Sequence, residues 1–361
     1  MKVVVFGGAG DMGSEAVRDL VETSKVSSVL IADYNEKRAK KLADELGGKA
    51  AAARVDANHH NELVELMKTA DVALSCVGPF YRFEKKMVRA AIEARTNYVS
   101  ICDDFDAAEE AIAMDGDARQ ARIVVLSGMG WTPGMSNVLA RHGINRLDKA
   151  ARVNIAWAGS ADDSEGLAVI KHTLHIFTGK VPTYMDGKWK NVPAGSGRDM
   201  VEFPDPIGKI PTYHVGHPEP ITIPHFIEGL QEVTLRGSVI PLWLNNVART
   251  LARVRITDTP GKRDLVSKMV HTISPLMGLG GKGVSGLRVD VHGEKNGKNA
   301  TVSYTVADNM KRITGIPASI GAAMVGAGKV TRLGVVGPEI AIDPDEFLAE
   351  LKKRKIKVHI E

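Results

Sequence analysis

The 361-residue sequence predicts an α/β fold, a doubly wound parallel sheet of Rossmann type joined to a second, mixed α+β substrate domain. Two observations predict it. Over about the first 130 residues, apolar runs of strand length alternate with helical patterns six times, the signature of a parallel sheet covered on both faces. From Ala150 onward the pattern changes to hairpins with Asp-Gly and Asn-Gly turns and to the alternation of strands open on one face.

The opening strand is the run Val3 to Phe6, which breaks into glycines before Val17, Leu20 and Val21 recur at helical spacing. Gly8, Gly10 and Gly13 fall in the pattern G-x-G-x-x-G, with Asp11 and Met12 between the last two. In that pattern the first glycine is expected to make the tight turn, the second to admit the backbone to a pyrophosphate, and the third to let helix and strand close up. Free N–H groups and the positive dipole end of the helix then face the anion. A second apolar run, Val29 to Asp33, ends in an acid about twenty residues later, where a carboxylate accepts from the adenosine ribose hydroxyls. The same carboxylate repels the extra phosphate of NADP, so NAD is the expected cofactor. Lys37 and Arg38, opening the next helix, keep NADP possible. The competing reading is a doubly wound fold that has lost its nucleotide.

The elements that follow are a helix over 35–46, closed by Gly47 and Gly48, and a third strand over 51–55 ending at Asp56, an acid placed to approach adenine. A helix over 61–69, a strand in the run 71–80 ending at Gly78 and Pro79, and a helix over 85–94 come next. A strand from 97 reaches Asp103 and Asp104, a helix spans 107–119, and a sixth strand spans 122–127. Ligands of such sheets sit beyond the carboxyl ends of the strands, where Gly78, Pro79, Asp103, Asp104, Gly128 and Trp131 stand.

The middle region opens with a strand over 151–158 and a helix over 164–177, on which His172 and His175 are three apart and share a face. A hairpin over 184–189 and strands around Val201, Tyr213, Ile221 and Val233 precede helices over 243–252 and 262–274. The clearest hairpin spans 286–306 and turns at Asn296-Gly297. A small-residue helix is expected over 317–328, with Pro317 at its start, then a helix over 344–353 and a strand over 356–360 that returns to the first domain. The expected domains are therefore 1–133 with 315–361 for the cofactor, and 134–314 for substrate and dimerisation. The active site is expected in the cleft between them.

Composition narrows the function classes. Hydrophobic residues make up 44% and charged residues 25%, and the net charge is +4 with both signs interspersed. The one basic cluster, over 352–357, ends a helix, where cations complement the dipole, so nucleic acid is not an expected partner. No apolar run reaches membrane-spanning length and the chain opens directly on a structural strand, so no membrane or secretory segment is expected and a cytoplasmic location follows. Cys76 and Cys102 lie in separate apolar runs and are read as reduced core residues. His214, His217 and Glu219 crowd three ionisable groups into six residues, but without further ligands at metal spacing they are read as a substrate-contacting loop, and no metal is expected. The glycine run over 278–283 resembles a phosphate loop, yet Lys282 is followed by Gly and no strand precedes it, so it is read as a connector.

Five segments together resemble the saccharopine dehydrogenase family, which includes lysine 6-dehydrogenase and carboxynorspermidine synthase. They are Gly8 to Gly13; Gly128-Met-Gly-Trp-Thr-Pro-Gly-Met-Ser-Asn137; His217-Pro-Glu-Pro-Ile-Thr-Ile-Pro224; Thr314-Gly-Ile-Pro-Ala-Ser319; and Gly334-Val-Val-Gly-Pro-Glu339. The resemblance spans essentially the whole chain. It implies a nicotinamide-dependent oxidoreductase acting on the C–N bond of an amino acid such as lysine or saccharopine, or of a polyamine precursor, as a homodimer.

Oxidising a carbon attached to nitrogen needs a neutral amine, so a base must first remove a proton, and a carboxylate or histidine suits that role. Asp103 and Asp104 are the leading candidates, with the alternative that Asp104 caps the next helix. His172 and His217 are the next candidates; for His172, as for His175, a reach to a substrate carboxylate stands against the alternative of a polar or domain-interface face. Trp131 is placed to wall the nicotinamide or to pack between domains. Cofactor contacts are expected from Gly8, Gly10, Asp11, Met12, Gly13, Asp33, Asp56, Gly78, Pro79 and Trp131. Two other functions stay open: a reductase of a carbonyl or C=C bond in a larger substrate, and a non-catalytic nucleotide-binding sensor.

Overall fold

The computed structural model describes residues 1–361 apart from 24, 164–166 and 274–282. The start of the helix expected over 164–177, the end of the helix expected over 262–274 and the glycine run up to Lys282 lie outside the described residues. The chain divides into two units, 1–138 with 311–354 and 139–310 with 355–361. Each is described by itself.

In the first unit, strands and helices alternate from the start: β1 (Lys2–Phe6), α1 (Asp11–Thr23), β2 (Ser28–Asp33), α2 (Glu36–Leu46), β3 (Ala50–Arg54), α3 (His60–Met67), β4 (Val72–Ser75) and α4 (Phe80–Ala94). Then come β5 (Asn97–Ser100), α5 (Phe105–Ile112), α6 (Asp115–Ala121), β6 (Val124–Leu126) and α7 (Met135–Arg146), which runs on into the second unit. The helix expected over 107–119 is thus two helices, broken at Ala113 and Met114. Later in the chain, α12 (Met310–Gly326), β15 (Gly334–Val336), α13 (Pro338–Ala341) and α14 (Pro344–Lys353) return to this unit.

Seven strands form one sheet in the order β15-β6-β5-β4-β1-β2-β3, and every pairing is parallel. Val3 to Phe6 of β1 are buried on both faces, as a central parallel strand under two helical layers requires. Asp115 in α6 accepts the Val335 N–H at 2.9 Å, tying the edge strand β15 to the helix beside it. α12 runs seven residues upstream of Pro317 rather than starting there. Ile313, Ile316 and Ile320 continue one buried face through the proline, so packing outweighs the one intrahelical bond that its missing N–H forfeits.

Asp19 on the buried side of α1 has both carboxylate oxygens at 2.7 and 2.9 Å from Arg354 Nε, and it accepts the Ser319 hydroxyl at 2.6 Å. With side chains only 6% and 7% exposed, Arg354 and Asp19 form a buried pair that locks the end of α14 onto the first helix. Hydrogen bonds to every charged atom are what make such burial tolerable.

The second unit is built on a mixed sheet. Its elements are β7 (Lys149–Ser160), α8 (Leu167–Ile176), β8 (Lys180–Met185), β9 (Lys188–Pro193), β10 (Asp199–Phe203), β11 (Gly208–His214), α9 (Glu219–Phe226) and β12 (Glu232–Ile240). They continue with α10 (Trp243–Arg253), α11 (Pro260–Ile273), β13 (Ser285–Lys295), β14 (Lys298–Asp308) and β16 (His359–Ile360). The main path is β10-β11-β12-β7-β13-β14-β16, with β8 and β9 added beside β12. Among the described residues of this unit, only β7 and β12 pair in parallel. Asp186-Gly187 and Asn296-Gly297 all take positive φ, the mirror-image turns that suit two-residue hairpins.

Two expectations fail in this unit. The strand around Ile221 is the helix α9, because Pro218 and Pro220 start a helical turn readily whereas a strand interior tolerates proline poorly. The last residues, 355–361, join the second unit, not the first, since β16 pairs antiparallel with β14.

Candidate functional site

The β1–α1 turn is folded tightly on itself. Gly7 takes a φ of +69°, and a Cβ there would meet the Cys76 carbonyl oxygen at 2.9 Å. Gly7 therefore makes the left-handed turn assigned above to Gly8. Gly8 has ordinary φ and is required for space instead, since a Cβ would lie 2.9 Å from Val5 O and 3.1 Å from Ile31 Cγ2. A Cβ on Gly13 would fall 2.2 Å from Gly7 O, so no side chain fits where helix meets turn. Gly10 donates its N–H to Gly7 O at 3.1 Å, and its own Cβ position is the least crowded of the three. Asp11 and Met12 begin α1, and Lys311 stands 3.5 Å from the Asp11 carboxylate, offsetting its charge at the helix entrance. The cradle fits a dinucleotide pyrophosphate: backbone stripped of side chains leads into the amino end of a 13-residue helix.

Asp33 holds this turn. Its Oδ2 accepts the Ala9 N–H at 3.0 Å and its Oδ1 accepts the Asn35 N–H at 2.8 Å. A carboxylate has about four acceptor sites, so capacity for ribose hydroxyls remains. Directly across in register on β3 is Arg54, whose guanidinium lies over the Tyr34 ring at 5.2 Å. Sequence reading did not single out this cation. Asp56 accepts both the backbone and the side-chain N–H of Asn58 at 2.9 Å, and these bonds hold its carboxyl below the usual range.

The neighbouring strand ends carry the acids. Gly78 and Pro79 lead into α4 through a cis peptide. Asp104 occupies the N-cap position of α5, but its side chain does not cap that helix. Its Oδ2 instead accepts the N–H of Tyr81 in the first turn of α4, at 2.9 Å, and the residue is fully buried. Asp103, next to it, is half-buried. Burial pushes the Cys76 thiol up to about 12 and raises that of Cys102 as well, so neither offers a thiolate near neutral pH.

Trp131 is buried in a turn whose ends, Gly128 and Gly134, take φ of +80° and +122°. Asn137 closes the turn by accepting the Gly134 N–H at 3.0 Å, and it donates to Glu339 Oε2 at 2.9 Å. Gly315 lies so close to α1 that a Cβ would sit 2.7 Å from Met12 O. Three of the motif segments noted in the sequence thus meet in the first unit, behind the dinucleotide turn.

Besides Asp19, another buried acid escaped sequence reading. Glu84 in α4 accepts the hydroxyls of Tyr98, Ser100 and Ser127 at 2.8, 2.6 and 3.0 Å. Burial raises its carboxyl above the usual range despite these donors. The signal was its spacing: Phe80, Glu84, Met87, Val88 and Ala91 share the buried face of one helix.

In the second unit, His172 and His217 stand edge to face with ring centroids 5.3 Å apart, and His217 tilts against Trp157 at 5.7 Å. His217 Nδ1 lies 3.6 Å from Glu219 Oε2. Gly237 makes room for the group, since a Cβ there would fall 2.2 Å from the Trp157 ring. His175 is buried while His172 is half-buried, so the shared helix face does not give them one environment. His214 packs against Gly197 instead, and burial together with Arg236 pushes its pKa down to about 4, leaving it neutral at pH 7. Trp157 and Gly237 were not foreseen, because their closeness depends on the pairing of β7 with β12.

Comparison with known proteins adds an independent finding. Residues 3–126 match the saccharopine dehydrogenase NADP binding domain, and residues 130–356 match the saccharopine dehydrogenase C-terminal domain. Carboxyaminopropylagmatine dehydrogenase from Synechocystis sp. is 21% identical over 393 aligned residues, covering 99% of this chain and 97% of that protein. A solved apo saccharopine dehydrogenase (L-Glu forming) from Saccharomyces cerevisiae superimposes with a TM-score of 0.71 at 15% identity, covering 100% of this chain and 99% of the other. An amine dehydrogenase structure from Mycobacterium smegmatis gives 0.50 at 13% identity, covering 95% and 98%.

Proposed function

On the premise that this chain belongs to the saccharopine dehydrogenase family and is therefore an NAD(P)-dependent oxidoreductase, we propose that it transfers a hydride at the C–N bond of an amino acid or amine that carries a carboxylate. The observation that carries this reading is the pair Asp103 and Asp104 at the carboxyl end of β5, in the sheet that begins with the dinucleotide turn. Saccharopine dehydrogenase and carboxyaminopropylagmatine dehydrogenase, by their names, support a nitrogen-bearing substrate.

In this reading Asp103 takes the proton from the substrate ammonium, since it is the more accessible of the two acids. Asp104, fixed on the Tyr81 N–H, holds the turn that presents Asp103. In the second unit, His172 and His217, the latter tilted against Trp157, are the next candidates for the base. When bound, NAD(P) supplies the hydride acceptor at its nicotinamide ring. Water then adds to the substrate iminium, and the products are a carbonyl compound and ammonia or an amine. A cytoplasmic homodimer is part of the same reading; the exposed side chains of Trp243 and Val247 on α10, and of Leu265 and Met269 on α11, support a partner surface in the second unit. The test is a panel of lysine, saccharopine, ornithine, diamines and their semialdehydes, read at the absorbance of the reduced cofactor. Turnover of at least one nitrogen-bearing substrate is expected. Tight NAD binding with no turnover across the panel would favour a sensor.

Asp33 supports NAD as the preferred form, with Arg54 as the cation that softens the preference. Replacing Asp33 by Ala is expected to improve NADP relative to NAD by about 10–100-fold, because a like charge beside the 2′-phosphate is removed. Calorimetric dissociation constants for both cofactors check this. Tighter NADP binding in the wild type, or no relative gain in the variant, would reject the assignment.

A further inference from the structure

Three neighbouring strands of the first unit end in serine: β4 at Ser75, β5 at Ser100, and β6 just before Ser127. Immediately after these serines come the three loops that carry Gly78 and Pro79, Asp103 and Asp104, and Gly128 to Gly134. One buried carboxylate gathers their roots. Glu84 Oε1 accepts both Ser100 Oγ and Ser127 Oγ, while Oε2 accepts the Tyr98 phenol, which is itself hydrogen-bonded by Ser75. One turn earlier on the same helix, the Tyr81 N–H holds Asp104. A charged group this deep is costly, and an apolar residue would serve packing alone at least as well. Only an acceptor with several lone pairs can bind three hydroxyls from two strands at once.

We propose that Glu84 is a positioning residue for the reaction, a buried carboxylate that fixes the roots of the three strand-end loops and so the placement of the Asp103–Asp104 turn. This rests on the reading that the turn supplies the base. The titratable groups facing Glu84 are Tyr98 on β5 and Cys102 and Asp104 in the loop after it.

The test compares wild type, Glu84→Gln and Glu84→Asp, with L-saccharopine and NAD as the probe pair. Glu84→Gln keeps the shape but not the acceptor set. It is expected to lower kcat by about 10–100-fold, with KM and the NAD dissociation constant changed by less than about 3-fold, since a shift of the base by a fraction of an ångström acts on the chemical step. The split between kcat and KM is the readout that a merely structural role would not give, and Glu84→Asp, which keeps the carboxylate acceptors, should return kcat toward the wild-type value. Wild-type kcat in Glu84→Gln overturns the proposal. So does a loss of kcat matched by an equal loss of NAD binding and thermal stability, which is plain unfolding. Hydrogen exchange decides the matter if saccharopine is not turned over: faster exchange confined to peptides over 76–81, 101–104 and 128–134 supports the role, and uniform or absent change rejects it. A slow Glu84→Gln beside Asp103→Asn and Asp104→Asn at wild-type rates would reject the assigned base while leaving Glu84 as the holder of the loops.

Discussion

Asp103→Asn is expected to lower kcat by about 10²–10⁴-fold, the range that a positioned general base contributes. Asparagine keeps the volume and polarity of the side chain but cannot take a proton from the substrate ammonium. The NAD dissociation constant is expected to change little, because the residues proposed to hold the cofactor, the β1–α1 turn and Asp33, belong to other strand ends. Asp104→Asn should cost less, about 10-fold, because an amide oxygen can still accept the Tyr81 N–H and keep the turn in place. Steady-state kinetics on the substrate found by the amine panel check both. Asp103→Asn at the wild-type rate would move the base to His172 or His217.

Gly13→Ala is expected to have the largest effect on cofactor binding. The added Cβ would stand 2.2 Å from Gly7 O and 2.9 Å from Gly8 Cα, so backbone has to move on both sides of the turn. Overpacking of this kind costs about 1–3 kcal/mol, and contacts against backbone belong at the upper end. Relief comes only by opening the turn that faces the pyrophosphate. About 100-fold weaker NAD binding follows, with a lower Tm, since roughly 1.4 kcal/mol is a factor of ten. Gly10→Ala is the graded control for folding. Its Cβ would meet Gly7 O at 3.2 Å, a contact that a shift of a few tenths of an ångström relieves, so its loss of Tm should be much smaller, although the same Cβ faces the side from which a pyrophosphate is expected to approach. Thermal unfolding of the two variants checks the order, and equal losses of Tm would contradict it.

The glycine pattern, the strand–helix alternation and the two hairpins were legible because each is written locally, in spacing or in turn residues. What was missed depends on partners distant in the chain. Gly7 and Gly8 cannot be told apart by pattern; the positive φ falls on Gly7, which packs against the Cys76 carbonyl just past β4. Asp19 and Glu84 look like surface acids in charged helices until Arg354 arrives from the end of the chain and Ser127 from the next strand. The motif Gly128 to Asn137 was visible, but its role was not, because Asn137 is engaged by Glu339 some 200 residues later. The fate of the tail was misjudged for the same reason. Its short strand has no local signal for which sheet it joins, and pairing of His359 and Ile360 with β14 settles that. Among the candidate residues, Asp33 was found for its place at a strand end, while its bond to the Ala9 N–H appears only once the turn is folded.

The central claim, hydride transfer at a carbon bound to nitrogen, is tested most directly with a substrate from the amine panel carrying deuterium on that carbon. Mass spectrometry of the reduced cofactor after turnover reads the outcome. The account predicts that the deuterium is found in the reduced nicotinamide, with a carbonyl product and ammonia or an amine formed in equal amount. Reduced cofactor without the label, or label transfer with the C–N bond left intact, would contradict it.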